Sequence, residues 1–398
     1  MEGRSRIYHF SSAVCSVNEY NSVIIEDRHK TSQAAIKFFR VFCDGFVRNE
    51  KTIKVFSKRP TNRNKSGRTY ITAKNENDNG VYYHYCRLFN IAVLGSVYSF
   101  LASFFWFLSP AKCRKGDIVF IDPLNVSIGY GTLFACRIRG IKNVMILTDL
   151  PRFYCYNGDG RMRTYQKFSE KLSRKADAYI LVTKQMNDVI NLDRKPSIIM
   201  EGFVDAGLQN FNTMLEEKYE SFVCMYSGGL DKAYGMDMLL EGFLAADIPN
   251  SELHIYGAGE YAPEIEKASH EHESIKYFGC RNNSEVVAAQ MKSTLLVNPR
   301  YTNAEFTKYS FPGKNLEYAA SGTPTLTTRL PGMPEEYYDY VFFLEEETVD
   351  GFAKKIKEIA NKSRIELFEF GKTTKRWMLE NKNCKTQIAK IVDFTDQI

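Results

Sequence analysis

Residues 309–324 read YSFPGKNLEYAASGTP, a run whose residue types could hold an anion. Ser310 can cap a helix and Pro312 suits its first turn, with Phe311 between them. Gly322 with Pro324 ends such a helix. A helix start offers uncommitted N–H groups and a partial positive charge, which suit phosphate oxygens. Lys314 adds a full positive charge in that first turn, where helix stability alone favours an acid. Glu317 follows at i+3 and shares its face, so its carboxylate could accept both hydroxyls of a ribose diol. Arg300 and Lys308 lie just before and could reach the same phosphates. The bland alternative is a helix with ordinary surface charges.

The elements around this run must form a platform for it. Short apolar runs at 222–226, 253–256, 275–278, 294–297 and 325–327 predict strands. They alternate with helical patterns at 234–245, 261–269, 286–291 and 313–321, which predicts a doubly wound parallel sheet. Ligands bind outside the carboxyl ends of such strands. Those ends carry Gly228 and Gly229 with Lys232 beyond them, then Gly257 and Gly259, then Cys280 and Arg281, then Arg300. In the first half, strands are predicted at 53–56, 117–121, 144–147, 178–182 and 197–200, and helices at 31–48, 88–108, 127–139 and 161–175. Residues 57–80 are polar, basic and rich in Asn, and read as a loop. Asp149 follows the strand at 144–147, where it either caps the next turn or sits near a substrate hydroxyl. His9, His29 and His84 have no spacing that marks a base.

The chain has 398 residues, 44% hydrophobic and 25% charged, which fits two globular domains. The expected division is 1–205 and 206–375, with the segment of about 376–398 packing back on the first domain. Two Rossmann-like α/β sheets facing across a cleft are the expected architecture. Nine cysteines are scattered without a CxxC pair, which argues for reduced, buried thiols and against a zinc site. The first residues lack the apolar core of a secretory signal, so the expected compartment is the cytosol or its membrane face.

Charge is uneven. Residues 1–200 hold 32 Lys and Arg against 16 Asp and Glu, while the rest carries a net −10. The basic half expects an anionic partner, and no recognised nucleic-acid module is present. Residues 88–111 contain no charge, with Arg87 before them and Lys112, Arg114 and Lys115 after. A buried helix, a helix dipped into a membrane interface and a membrane span are all open readings.

Several motifs together resemble glycosyltransferase family 4, retaining enzymes of the GT-B fold. They are YSGGLDKAYGMDMLLEGF (226–243), HIYGAGEYAPEI (254–265), YFGC (277–280), LLVNPR (295–300), residues 309–324 and LPGMPEEY (330–337). DIVFIDPLNVSI (117–128), TDLP (148–151) and EGFVD (201–205) look like a bacterial branch that builds capsule or exopolysaccharide. The resemblance implies a UDP- or GDP-sugar donor, a lipid-linked saccharide acceptor and a peripheral place on the inner face of the plasma membrane. It puts Gly257 and Gly259 against the nucleotide, Cys280 and Arg281 beside the base, and Glu317 on the ribose. Two departures stand out. Tyr309 occupies the place of the family's first Glu, and Gly229 and Tyr234 occupy those of an Arg and a Lys. Lys232, Arg300, Lys308 and Lys314 are then the candidates to neutralise the diphosphate. No Asp-x-Asp motif is present, so neither a metal nor another cofactor is expected. Two other classes stay open. GAGEYA could open a nicotinamide site, although no acid follows the strand at 275–278 to hold the ribose. The departures would also suit a non-catalytic scaffold of a polysaccharide assembly complex.

Overall fold

The computed structural model describes residues 5–26, 33–60, 67–153, 160–204 and 214–398. Parts of the expected linker and of the expected loop at 57–80 lie outside these residues, as does His29. The chain divides into two compact units, Met1–Phe203 with Cys384–Ile398, and Val204–Asn383.

The first unit holds an eight-stranded sheet. Its spatial order is Ser197–Ile199, Ala178–Leu181, Lys142–Leu147, Ile118–Ile121, Tyr8–Ser12, Ile53–Lys58, Val81–Cys86 and Glu76–Asp78. All neighbours are parallel except the last pair. Ile118–Ile121 and Ala178–Leu181 are buried at every position, as strands covered on both faces must be.

The sequence signals miss the central strand, Tyr8–Ser12. Its residues YHFSS read as polar, yet all five are buried. Each polar member has a partner. His9 Nε2 lies 3.1 Å from Asp117 Oδ2, Ser11 Oγ lies 2.8 Å from Thr132 Oγ1, and Ser12 Oγ donates to Asp122 Oδ2 at 2.8 Å. Val81–Cys86 was equally unforeseen. Glu76–Asp78 pairs along it, and Tyr70–Ile71 pairs with Leu88–Phe89, so part of the expected loop is sheet.

Strand order in this sheet reverses between Tyr8–Ser12 and Ile118–Ile121. Helix Cys384–Thr395 completes the unit by packing on helix Gln33–Arg48. A Cβ at Gly45 would overlap Ile388, and Arg6 donates to the Thr395 carbonyl at 3.1 Å. The preceding helix, Arg364–Asn381, stays with the second unit, so the return begins at Cys384 and not near residue 376.

The described residues of the second unit hold a six-stranded sheet, its strands all parallel. Their order is Ile275–Gly279, Ser251–Ala258, Phe222–Gly229, Leu295–Asn298, Thr325–Thr328 and Phe342–Leu344. The order reverses between Phe222–Gly229 and Leu295–Asn298. Helices Met236–Ala246 and Val349–Ala360 pack together over one core, where Phe352 fills the space beside Gly242. A smaller cluster joins Met225, Leu296 and Tyr318.

Helix Ala92–Leu108 is neither a span nor a fully buried helix. Among the described residues no helix is long and apolar enough to cross a membrane. Several of its large apolar side chains stay exposed, Val93 at 73% and Phe105 at 61%.

Candidate active site

The run at 309–324 folds as a 3-10 turn, Glu305–Tyr309, followed by helix Gly313–Ser321. The cap differs from expectation. Pro312, with extended backbone, takes the N-cap place, and Ser310 closes the preceding turn. Pro312 has no side-chain acceptor, so no side chain caps the helix; the Asn315 N–H closes on the Pro312 carbonyl at 2.9 Å, and the Gly313 and Lys314 N–H groups before it have no carbonyl within the helix to bond. Phe311 is buried against Tyr337, with centroids 5.2 Å apart. Gly322, in the left-handed region at φ 83, ends the helix.

Tyr318 fixes this helix to the sheet. Its hydroxyl accepts from the Ser227 N–H at 2.9 Å and lies 3.1 Å from Ser227 Oγ. The helix start therefore stands at the carboxyl edge of Phe222–Gly229, beside the point where strand order reverses. Asn298 and Asn315 make a second tie, at 2.8 Å. The Asn315 amide nitrogen and the Ser310 hydroxyl oxygen, both buried, have no hydrogen-bond partner among the described residues.

Lys314 is half-buried and donates to Tyr226 Oη at 2.6 Å. Its ammonium lies 4.2 Å from the Tyr226 ring centroid and 5.8 Å from that of Tyr234. The Arg300 guanidinium stacks on the other tyrosine of this pair, 4.6 Å from the Tyr234 centroid, and lies 5.4 Å from that of Phe306. The two cations thus meet around Tyr234. Burial brings the Lys314 pKa down to about 7, with the Arg300 charge adding to the fall and Glu317 opposing it. A lysine so placed gains its full charge when an anion arrives.

Glycine is required beside it. Gly228 has φ 148, and a Cβ there would overlap the Lys314 ammonium. Glu317 accepts from Gln290 Nε2 at 2.8 Å, and that same nitrogen donates to Ser227 Oγ at 3.1 Å. Gln290 is a fully buried anchor that the sequence reading missed. Tyr226 was missed as well, and Tyr234 was noted only for standing in the place of a family lysine. The signal for Tyr226 was its place two residues before the glycines that end the first strand of this unit.

Other expected residues lie apart from this cluster. Lys232 sits on the turn Lys232–Tyr234 with its ammonium 5.6 Å from the Tyr261 ring centroid. Lys308 is exposed on the turn before the helix. Cys280 and Arg281 are exposed beyond the edge strand Ile275–Gly279, two strands from Phe222–Gly229. Gly257 and Gly259 have a packing reason of their own, since a Cβ at either would overlap the Gly228 or Leu230 carbonyl. The GAGEYA glycines therefore need no nicotinamide to explain them. Gly229 adjoins the Tyr234 ring.

Asp149 belongs to the first unit, exposed after strand Lys142–Leu147. Its charge is felt by Asp122, a carboxyl to which the sequence reading gave no role. Asp122 accepts from Ser12 Oγ, from the Leu124 N–H at 2.9 Å and from Asn125 Nδ2 at 2.6 Å. Burial pushes its pKa up to about 6 against these bonds, and Asp149 adds to the rise. This group marks the strand reversal of the first sheet. At the amino ends of the same strands, His9, Cys113 and Asp117 bring potential metal-ligating atoms within 4.8 Å of one another. Asp117 there already accepts from the Ile7 and Arg114 N–H groups and meets His9, which explains the cluster as a polar network.

Residues 221–362 match the family described as Glycosyl transferases group 1. No curated protein matches the chain. Among solved structures it is similar to sucrose-phosphate synthase from Thermosynechococcus elongatus, at 12% identity and TM-score 0.70 over 99% of each chain. It is also similar to Anabaena Alr3699/HepE in complex with UDP, at 12% identity and TM-score 0.62 over 99% of this chain and 100% of that one. The pneumococcal O-GlcNAc transferase GtfA, in complex with UDP and GlcNAc, is similar at 11% identity and TM-score 0.62 over 99% of each. At these identities the likeness is one of fold. The chain is a glycosyltransferase with the GT-B fold, and residues 221–362 carry its group 1 domain.

Proposed function

We propose that the chain moves a sugar, with retention at the anomeric carbon, from a UDP- or GDP-sugar to a lipid-linked saccharide in capsule or exopolysaccharide synthesis. One observation carries this reading. Arg300 and Lys314 meet around Tyr234 beside an uncapped helix start, at the strand reversal of the group 1 domain. Two cations and free amide groups at one point suit a diphosphate. Glu317, one turn on and steadied by Gln290, suits the ribose hydroxyls.

In this reading the bond from C1 to the leaving phosphate oxygen breaks while the acceptor oxygen bonds to C1 on the same face. The acceptor proton passes to the leaving phosphate. Arg300, Lys314 and the helix start meet the charge that develops there, with Lys308 assisting and without a metal. Asp149 orients the acceptor hydroxyl. Tyr309 stands in place of the carboxylate that family members offer the donor sugar. A lipid-linked acceptor puts the enzyme on the cytoplasmic face of the plasma membrane, where the basic first half meets anionic headgroups.

Calorimetry with UDP, GDP and NAD, followed by product release from a panel of sugar nucleotides, tests the proposal. UDP or GDP should bind, turnover should survive a chelator, and both should be lost in Glu317→Ala and Lys314→Ala. Binding of NAD instead, or donor turnover unchanged in both variants, would overturn it.

A further inference from the structure

Helix Ala92–Leu108 is built inside out. Its small and polar residues Gly95, Ser99 and Ser103 are buried, and the two hydroxyls donate to carbonyls of their own helix, Gly95 at 2.7 Å and Phe100 at 2.9 Å. Helix Val126–Arg139 lies against that face so closely that a Cβ at Gly131 would overlap the Phe100 carbonyl and the Ser103 hydroxyl. Phe107 anchors the far end in the core, but five large side chains turn away from the protein. Val93, Val97, Leu101 and Phe105 follow one another at i+4 and form one exposed stripe, with Leu94 beside it. Phe134 and Ile138 of the neighbouring helix are exposed as well. A water-facing helix would carry the opposite pattern.

Within the two segments that form this face the charges have one sign, and an acid from outside them, Glu76, lines a cavity on the Trp106 and Lys112 side. Residues 87–115 and 126–142 contain seven Lys and Arg and no Asp or Glu. Arg87, Lys112, Arg114, Lys115 and Arg137 are exposed. Arg139 has a separate task, donating to the Phe107, Ser109 and Cys113 carbonyls and so fixing the end of the helix. A cavity of about 380 Å³ opens on the flank of the helix, walled by Tyr98, Phe105 and Trp106, with Arg87 and Lys112 in its lining. The Lys112 ammonium lies 4.8 Å from the Trp106 ring centroid.

We infer that this face docks on a lipid bilayer with anionic headgroups. The 17-residue helix lies flat, its stripe enters the boundary between headgroups and acyl chains, and the basic rim meets phosphates. The cavity beside Arg87 and Lys112 seats one headgroup phosphate. Trp106 and Tyr98 suit that depth, being apolar rings with a polar edge. A second copy of the chain would bring an identical basic rim against this one, and the like charges would repel. The inference rests on the proposed lipid-linked acceptor only for its setting, since donor binding needs no membrane.

Flotation with vesicles of phosphatidylglycerol and phosphatidylcholine, against vesicles of phosphatidylcholine alone, tests it. The wild type should float with the anionic vesicles, less so at high salt. The combined variant Val97→Ser, Leu101→Gln and Phe105→Gln should bind them about tenfold more weakly or worse. Lys112→Glu with Lys115→Glu should lose the preference for phosphatidylglycerol. Both variants should keep the wild-type melting temperature and UDP affinity, which shows that folding is intact. Failure of the wild type to float, flotation of the apolar variant like wild type, or a dimer in sedimentation that this variant dissociates, would each overturn the inference. Absence of UDP and GDP binding to a wild type that floats would sink the donor reading and leave the docking face standing.

Discussion

The two sheets reverse strand order once each, and the side chains at the two reversals differ in sign. In the second unit the edge is cationic and aromatic, with Arg300 and Lys314 arranged around Tyr234. In the first it is a buried carboxyl, Asp122, enclosed by Ser12, the Leu124 N–H and Asn125. Burial moves both groups toward neutrality, Lys314 down to about 7 and Asp122 up to about 6. Topology supplies the location in both cases, and residue type decides what can be bound there. The lysine has an exposed helix start beside it and can recover its charge against an anion. The carboxyl is already spent on three donors of its own unit and serves the local backbone.

The contrast breaks most severely when a cation is removed. Arg300→Ala and Lys314→Ala should each lower turnover by roughly 10²–10³-fold, the cost of deleting a group that meets charge developing in the transition state. Steady-state rates with a sugar nucleotide would show this, and a loss below about tenfold would separate that residue from the chemistry. Gly228→Ala comes next. Its Cβ would occupy the place of the Lys314 ammonium at φ 148, so the unit should lose about 1–3 kcal/mol in urea denaturation and bind the donor more weakly.

Titration sharpens the comparison further. Because free Lys314 loses its proton near pH 7, affinity for a sugar nucleotide should fall as pH rises, by up to about tenfold between about pH 6 and about pH 8. The diphosphate of such a ligand does not titrate there, and Lys314→Arg should flatten the profile. The smallest effect belongs to the other edge. The folded Asp122 pKa of about 6 lies above its ordinary 3.8, so its contribution to stability is full below 3.8 and is lost as pH rises through about 6. Asp122→Asn should remove that slope and exceed wild-type stability at neutral pH by on the order of 1 kcal/mol, read from denaturation at several pH values.

The helix at 313–321 was legible because a glycine and a proline end it and an apolar period fills it. Its exact start was not. Ser310 has the chemistry of a cap, but Pro312 follows two residues later and the residue before a proline avoids helical backbone, so the helix waits until Gly313. Tyr8–Ser12 escaped notice for a different reason. A buried strand of His and Ser is stable only with partners, and those partners, Asp117, Asp122 and Thr132, are more than a hundred residues away. The Tyr226–Lys314 bond spans 88 residues and leaves no local trace. Likewise, composition alone showed that residues 88–111 were apolar, whereas which side of the helix faced the protein depended on Gly131 of another segment.

The late return of helix Cys384–Thr395 to helix Gln33–Arg48 sets an order of birth. As the ribosome delivers the chain, residues 204–383 form a continuous stretch that can close as soon as it emerges. The unit begun earlier has to wait. The groove beside Gly45 stays open to solvent until Ile388 arrives, and Arg6 lacks its Thr395 carbonyl until then. The part of the protein made first is therefore finished last, and a released chain truncated before residue 384 would hold a closed group 1 domain next in sequence to an unsealed amino-terminal one.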